Sequence, residues 1–526
     1  MALLAQSVLT RLPLKILIMT NLLYDDRHWE AWSRKVEENF AAKRYQHFDH
    51  RFDFPRQKDK IRRLVADPEL LAAHPFLPLL KVIIKTPRFR YNEKKAKLAL
   101  GIKTRPISFA GHFDTYIYSY YASALNDRYQ DYIHREDFDE TVLAYRTDLE
   151  GKCNIQFSRD AFREIQKRGS CAAVALDIKG YFDSIDHRLL KEKWRKVLGV
   201  EELPPDQYAI YRSLTRYAYV NKNTFLRHFG IHLRKLERKP TLLHHLGTGS
   251  FQEKFQVLRD TNIIVKSSSH ALTEDGKKRY YGIPQGLAIS ALLSNVYLID
   301  YDQMMSKKAK DEGFYYRRYC DDILIVCDIG RGQELQQFAV DAIESYHLTI
   351  QEKKQELIYL MPNSKGEIRA FNGRKLMEDH PTLQTPEEEQ RYYKSLQYLG
   401  FEFNGQDSFI RAGSISRYHR KMKGRILKTV YMAYSENAKG DRIFLQKLYH
   451  RYSHLGKRNF PRYAYTAAKA YYINSKGVRK EGMNSAAIRV QLSRHFTHLR
   501  HSLNQKHLQR VEYKARKGKL KQLKKA

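Results

Sequence analysis

The chain has 526 residues, 42% of them hydrophobic and 12% aromatic, with only 26 Gly and 15 Pro. That is a globular composition with ample length for a core, and it excludes a disordered, linker-dominated or collagenous chain. The 94 Lys+Arg against 58 Asp+Glu give a formal net charge of +36, which predicts a polyanionic partner, most simply nucleic acid.

Residues 1–100 read as a mostly helical extension, with charged runs at Lys58–Arg63 and Lys94–Lys97. The apolar stretch Leu12–Leu23 is broken by Lys15, Thr20 and Asn21. It is too short and too polar to span a membrane and has no small-residue cleavage site, so a soluble, cytoplasmic protein without a membrane partner is expected. Residues 101–410 mix short β-branched runs with helical stretches, the pattern of an α+β domain. A polar, His- and Ser-containing stretch runs near residues 242–276. Cys153, Cys171, Cys320 and Cys327 have neither C-x-x-C nor zinc spacing, so free thiols in a reducing compartment are expected.

Residues 411–526 read as helical throughout and carry most of the positive charge: 30 basic residues against four acidic, a net of +26, leaving +10 for the first 410 residues. Leu445, Leu448, Tyr449 and Tyr452 make one apolar face, and Ile488, Leu492, Phe496 and Leu499 a second. Gly456 and Pro461 punctuate the region between them. A Lys-rich tail without acids follows from Lys514 to Ala526. Such a segment binds phosphate backbones in a salt-dependent way; a solvated basic tail is the alternative. Tyr463, Tyr465, Tyr471 and Tyr472 interleave with Lys and Arg, which permits base stacking, although helix packing is the commoner use of such residues.

Three motifs carry chemistry. In Phe314–Val326 a β-prone run leads into Asp321-Asp322 and the apolar run Ile323–Val326 leads out, which predicts a β-hairpin with the two acids at its tip. Two bare carboxylates between apolar strands repel each other and lose hydration, so a divalent cation is the usual remedy; taken alone, the pair reads better as a polar hairpin turn. The second is Cys171–Ile178, an apolar strand that ends in Asp177. An acid there beside the hairpin pair makes a hard oxygen site suited to Mg²⁺ and phosphoryl transfer. Asp186 reads instead as the cap of a helix from His187 onward. The third is Tyr281–Ser290, in which Pro284-Gln285-Gly286 opens a helix running through Leu298, and Gln285 can offer hydrogen bonds to a sugar or base.

Together these motifs resemble the reverse transcriptases, whose palm carries a D-x-x-x-x-[FY] segment, a P-Q-G segment and a Y-x-D-D hairpin. Lys103–Ile107 and Ala144–Arg146 resemble fingers segments, Leu348–Lys354 the strand–turn–lysine element after the hairpin, and Tyr398–Phe401 the primer grip. The likeness runs in order over about residues 100–405. It implies a right-hand polymerase, with a fingers–palm core, a helical N-terminal extension and a basic all-α C-terminal domain in place of a conventional thumb. The expected boundaries are 1–100, 101–410 and 411–526; the spacing from Asp177 to Gln285 looks long for that family, which implies an insertion at about 242–276.

The resemblance implies roles position by position. Asp177, Asp321 and Asp322 are the catalytic acids; with Ile178 they form the site of two Mg²⁺ ions, for which Mn²⁺ is a substitute. Phe182, five residues after Asp177, is the gate against a ribose 2′-OH. Its bulk argues for dNTPs over rNTPs; a core aromatic is the competing reading. Lys103 and Arg105 hold the triphosphate, and Gln285 meets the nucleotide beside Phe182. Lys354 is a candidate general acid for pyrophosphate, or a surface lysine. Leu399, Gly400 and Phe401 form the primer grip.

The resemblance implies dNTPs as substrates, a DNA product, and an RNA template or noncoding RNA. No zinc-type endonuclease appears, and after residue 410 the only acids are Glu436, Asp441, Glu481 and Glu512, with no RNase H pattern. A diverged core with a long helical C-terminal region resembles the bacterial defence-associated, abortive-infection enzymes. That likeness implies antiphage defence with a noncoding RNA, priming on a 3′-hydroxyl or a protein hydroxyl, and a second copy or a partner protein as further candidates for assembly. A retron or group II intron-derived enzyme, and an RNA-binding palm scaffold without synthesis, are the alternatives.

Overall fold

The computed structural model describes residues 22–40, 45–92, 97–149, 151–232, 239–272, 276–435, 443–474 and 477–523. Apart from Leu22 and Leu23, the N-terminal apolar stretch lies outside them, as does the end of the basic tail. Among the described residues no helix is long and apolar enough to cross a membrane, and all four cysteines are free thiols. The chain divides into two compact units built from discontinuous segments: 1–147, 178–307 and 341–349 in the first, and 148–177, 308–340 and 350–526 in the second. These units cut across the three consecutive segments expected from the sequence.

In the first unit, helices Asp26–Glu38 and Phe54–Ala66 pack aromatic side chains onto the helix His112–Arg135. Trp32 meets Phe54 at 5.3 Å and Tyr120 at 5.4 Å, both edge to face, the geometry that aromatic quadrupoles favour. The long helix is largely buried, and two of its tyrosines bond to neighbouring elements: Tyr121 Oη donates to Asp206 Oδ2 at 2.8 Å and Tyr118 Oη to Ser213 Oγ at 2.9 Å.

Helical structure in the N-terminal hundred residues ends before Leu79. Leu79–Asn92 is a strand, paired antiparallel with Lys97–Phe109 as a long two-stranded ribbon. The reason is local: Val82, Ile83 and Ile84 are β-branched and favour the pleat over a helix. Short strands Ala218–Asn221 and Ile264–Lys266 extend this sheet. Residues 242–260, within the expected insertion, build a small core in which Leu242, Leu243, Phe255 and Leu258 join Phe48, Leu80 and Val220.

In the second unit an antiparallel sheet runs in the order Ile368–Asn372, Glu356–Pro362, Cys171–Asp177, Asp322–Cys327, Tyr315–Tyr319. One face buries Cys171, Ala173, Leu324, Val326, Ile358 and Leu360. Against it lie the helix Asn154–Arg168, a three-stranded sheet over 396–410 and the helices Phe460–Ala468 and Ala486–Leu492. Phe162 stacks on Phe403 at 4.9 Å. A second core joins helices Ala412–Ala433, Leu445–Tyr452 and His495–Leu523 through Met422, Ile426, Val430, Leu448, Leu499 and Leu503.

Two expectations for the C-terminal region need correction. It is not all-α: Tyr471–Ile473 and Arg479–Glu481 form a hairpin, because a Tyr-Tyr-Ile run prefers strand and Gly477, at φ +76°, turns the chain back. The apolar face Ile488–Leu499 belongs to two helices broken at Ser493-Arg494. Ile488 and Leu492 enter the core beneath the large sheet, and Leu499 enters the other.

Candidate active site

The carboxylates are positioned by strand register in the second unit. Asp177, the last residue of its strand, is the direct partner of Asp322, and Asp322 is in turn the partner of Tyr319. Residues directly opposite in an antiparallel pair point to the same face. Asp177 and Asp322 therefore share a face at the end of the sheet. The hairpin tip is Cys320-Asp321, one residue earlier than the sequence suggested, and Asp322 already belongs to the strand. Cys320 has φ +56° and Asp321 does not share that sign; a two-residue hairpin loop commonly takes a positive φ at its first residue, usually with Gly there.

Electrostatics mark the cluster. Burial, then the charges of Asp321 and Asp177, push the Asp322 carboxyl up to about 7. Burial and the Asp177 charge raise Asp321 as well. Two cations oppose this: Lys354, whose Nζ bonds Asp177 Oδ2, and Arg411. Lys354 comes from the short turn Glu352–Lys354, which is pinned by Gln351 N–H donating to the Asp177 carbonyl at 2.8 Å. All the donors are carboxylate oxygens, the kind a hard cation such as Mg²⁺ takes. Among the described residues, however, no three acidic, His or Cys side chains are already drawn together as a ligand set.

Leu399-Gly400 is a tight turn joining Leu396–Tyr398 to Phe401–Phe403, with φ +46° and +91°. Its Leu399 carbonyl accepts from Asn154 Nδ2 at 3.0 Å, and the same amide donates to Tyr463 Oη at 2.8 Å. Arg411 N–H donates to the Gly400 carbonyl at 3.1 Å, and Phe401 is buried in the core.

The remaining candidates lie in the first unit. Lys103 and Arg105 are two residues apart on one ribbon strand, opposite Thr86 and Ile84, and so share one face. Phe182 is half-buried, and its carbonyl accepts from Ile283 N–H at 2.9 Å. The Gln285 carbonyl accepts from Ser108 N–H at 2.8 Å. The P-Q-G turn thus bonds the Phe182 turn on one side and the Arg105 strand on the other. Gly286 makes this possible: it has φ +120°, and a Cβ there would meet the Ser108 carbonyl at 2.6 Å. The helix it opens is Ala288–Tyr297. Ile178 is buried, and Asp186 caps the His187–Leu198 helix, accepting from Leu189 N–H at 2.9 Å.

Of the four interleaved tyrosines, Tyr463, Tyr465 and Tyr472 bond inward, to Asn154, to the Leu492 carbonyl and to Gln156 respectively. Tyr471 is exposed, with the Arg479 guanidinium 4.2 Å from its ring centre. Sequence reading missed Arg318, which is fully buried and donates to the Cys320 carbonyl at 3.0 Å. The signal was a charged residue on the inward period of an alternating strand.

A family model described as reverse transcriptase (RNA-dependent DNA polymerase) matches residues 247–403. The match covers less than a third of the chain, in the region of the P-Q-G turn and the Asp321-Asp322 hairpin. Gln285, Asp321, Asp322, Lys354 and the Leu399–Phe401 turn fall inside the matched stretch; Asp177, Phe182 and the ribbon fall before it. No curated protein sequence matches this chain. Similar solved structures include apo telomerase from Candida tropicalis truncated from its C-terminal domain, at 12% identity over 63% of this chain and 57% of that one, with a TM-score of 0.32. Telomerase from Candida albicans in complex with the TWJ fragment of telomeric RNA matches at 11% identity over 76% and 60%, with a TM-score of 0.33. The chain spans less than two thirds of those telomerases, and at such scores the likeness carries no argument here.

Proposed function

We propose that this enzyme adds dNTPs to a 3′-hydroxyl, or to a protein hydroxyl, on an RNA template, and that Asp177, Asp321 and Asp322 are its catalytic acids. The observation that carries the reading is the register pairing of Asp177 with Asp322 beside the Asp321 turn. Three acids at one sheet end, with Asp322 pushed up to about 7, make a locus short of positive charge. In this reading the three carboxylates and the residue after Asp177, Ile178, hold two Mg²⁺ ions. Bound divalent cations supply the charge that favours the attacking oxygen and the leaving pyrophosphate.

The chain's own groups do the rest. Arg105 and Lys103 bind the triphosphate through charge-assisted hydrogen bonds. Phe182 excludes a 2′-OH by bulk, and Gln285 orients the nucleotide. Lys354 moves from Asp177 to the leaving phosphate as its proton donor. The Leu399–Phe401 turn sets the primer end. The basic helices after Arg411 hold the template–primer duplex or a structured RNA, with Arg420, Lys421, Lys423 and Lys428 exposed on one of them.

Within the cell we place the enzyme in the cytoplasm, in antiphage defence with a noncoding RNA. The support is the diverged core joined to a basic, mainly helical C-terminal region in place of a thumb. Incorporation of labelled dNTPs by protein purified with its nucleic acid tests the reading. Synthesis that needs Mg²⁺ and Asp321 and vanishes after RNase supports it. An Asp321→Asn chain that keeps full biological activity points instead to an RNA-binding scaffold, and RNA found covalently joined to the DNA product points to a retron.

A further inference from the structure

We propose that Arg318 is a positioning residue that holds the Cys320-Asp321 turn in its metal-binding shape by fixing the Cys320 carbonyl from beneath the sheet. The proposal rests on the catalytic reading of Asp321 and Asp322.

Arg318 is wholly buried, at 0% exposure. Burying a guanidinium is costly unless specific partners repay it, and an apolar side chain would fill an inward strand position with no such cost. Arg318 faces Ile323 across the hairpin, one row from the Tyr319–Asp322 pair, so it projects from the face opposite Asp322. One of its donors goes to the turn, at the Cys320 carbonyl. The Cys320 carbonyl belongs to the peptide that leads directly into Asp321, and Cys320 is held at φ +56°. A side-chain-bearing residue adopts that conformation only where its surroundings enforce it. The Nη1 donor, 3.0 Å from that carbonyl, fixes the rotation of this one peptide plane and with it the direction in which Asp321 leaves the turn. Arg suits the task because it stays charged and offers a planar fork of donors; Lys offers a point charge on a shorter, freely rotating head.

The hold should become dispensable when residue 320 needs no enforcement, as with Gly. The test is a double-mutant cycle of Arg318→Lys and Cys320→Gly on the full chain, with Mn²⁺ affinity read by electron paramagnetic resonance, turnover read by dNTP incorporation, and Tm read throughout. Arg318→Lys should weaken Mn²⁺ binding about tenfold and lower kcat about 10- to 100-fold with the dNTP KM little changed, as loss of a ligand-orienting partner does. Adding Cys320→Gly should return both to within about threefold of the Cys320→Gly chain, a coupling that two independent sites would not show. If Arg318→Lys fails to fold, Arg318→Gln, which keeps an amide donor, is compared in the same two backgrounds.

Unchanged Mn²⁺ affinity and kcat, or equal losses with Cys and with Gly at 320, overturn the proposal. A wild-type chain whose Mn²⁺ binding depends on Asp321 and Arg318 but which incorporates no nucleotide retires the polymerase reading and leaves the hold standing.

Discussion

The Lys354 ammonium bonds the Asp177 carboxylate from a turn that is itself tied to the Asp177 backbone carbonyl through Gln351. One residue therefore places both the acid and the cation that neutralises it. In the proposed mechanism a lysine in this position would compete with a metal for Asp177 and be released on metal binding. Lys354→Gln should bind Mn²⁺ more tightly than the wild type while its kcat falls by about 10²-fold, the scale of a lost general acid. Titration of Mn²⁺ beside steady-state kinetics reads both. An unchanged kcat would reduce Lys354 to a surface cation.

Asp322 carries a stability cost that the proposed chemistry imposes. Its native carboxyl is raised to about 7 from an ordinary 3.8, so the unfolded chain gives up that proton first as pH rises. Stability is therefore lost between about pH 4 and pH 7 and stays low above that, by at most about 4 kcal/mol for a shift of this size. Asp322→Asn should raise the metal-free Tm more at about pH 8 than at about pH 5, and Mg²⁺ should raise the Tm of the wild type more than that of the variant. Thermal unfolding at the two pH values, with and without Mg²⁺, decides it.

Phe182 is half-buried, and its backbone is fixed by Ile283 N–H, so truncating the ring should open space and leave the turn intact. Phe182→Ala should raise the ratio of rNTP to dNTP incorporation at least about tenfold, in line with what one steric contact discriminates. Competition between a dNTP and its ribose counterpart measures the ratio. No change would return Phe182 to a packing role.

The helix Ala412–Ala433 buries Tyr418, Met422, Ile426 and Val430 and exposes Arg420, Lys421, Lys423 and Lys428. Replacing those four cations with Gln leaves its buried face untouched. RNA affinity should then fall to a similar extent for all sequences, and the slope of log K against log salt should become shallower by about 3 for four lost phosphate contacts. Binding titrations at several salt concentrations give the slope. An unchanged slope would place the duplex elsewhere.

The placement of the candidate acids was legible where chemistry and strand alternation coincide. Asp177, Asp321 and Asp322 stand at the ends of strongly apolar runs, and the cap at Asp186 followed from an acid just before a helical pattern. What escaped was set by tertiary partners. The exact tip of the hairpin depends on Cys320 taking a positive φ, which no local preference of cysteine announces. Arg318 sits at an inward position that the alternation rule assigns to an apolar residue. The strand Leu79–Asn92 was masked by its many charges, and its identity comes from its partner Lys97–Phe109. Tyr463 and Tyr472 looked available for stacking until Asn154 and Gln156 claimed their hydroxyls.

The most direct test of the account is incorporation of labelled dNTPs by the purified chain with its own nucleic acid retained, beside Asp321→Asn. DNA synthesis that requires Mg²⁺, falls by orders of magnitude in Asp321→Asn while RNA binding persists, and stops after RNase is the predicted result. Equal incorporation by the wild type and Asp321→Asn would contradict it.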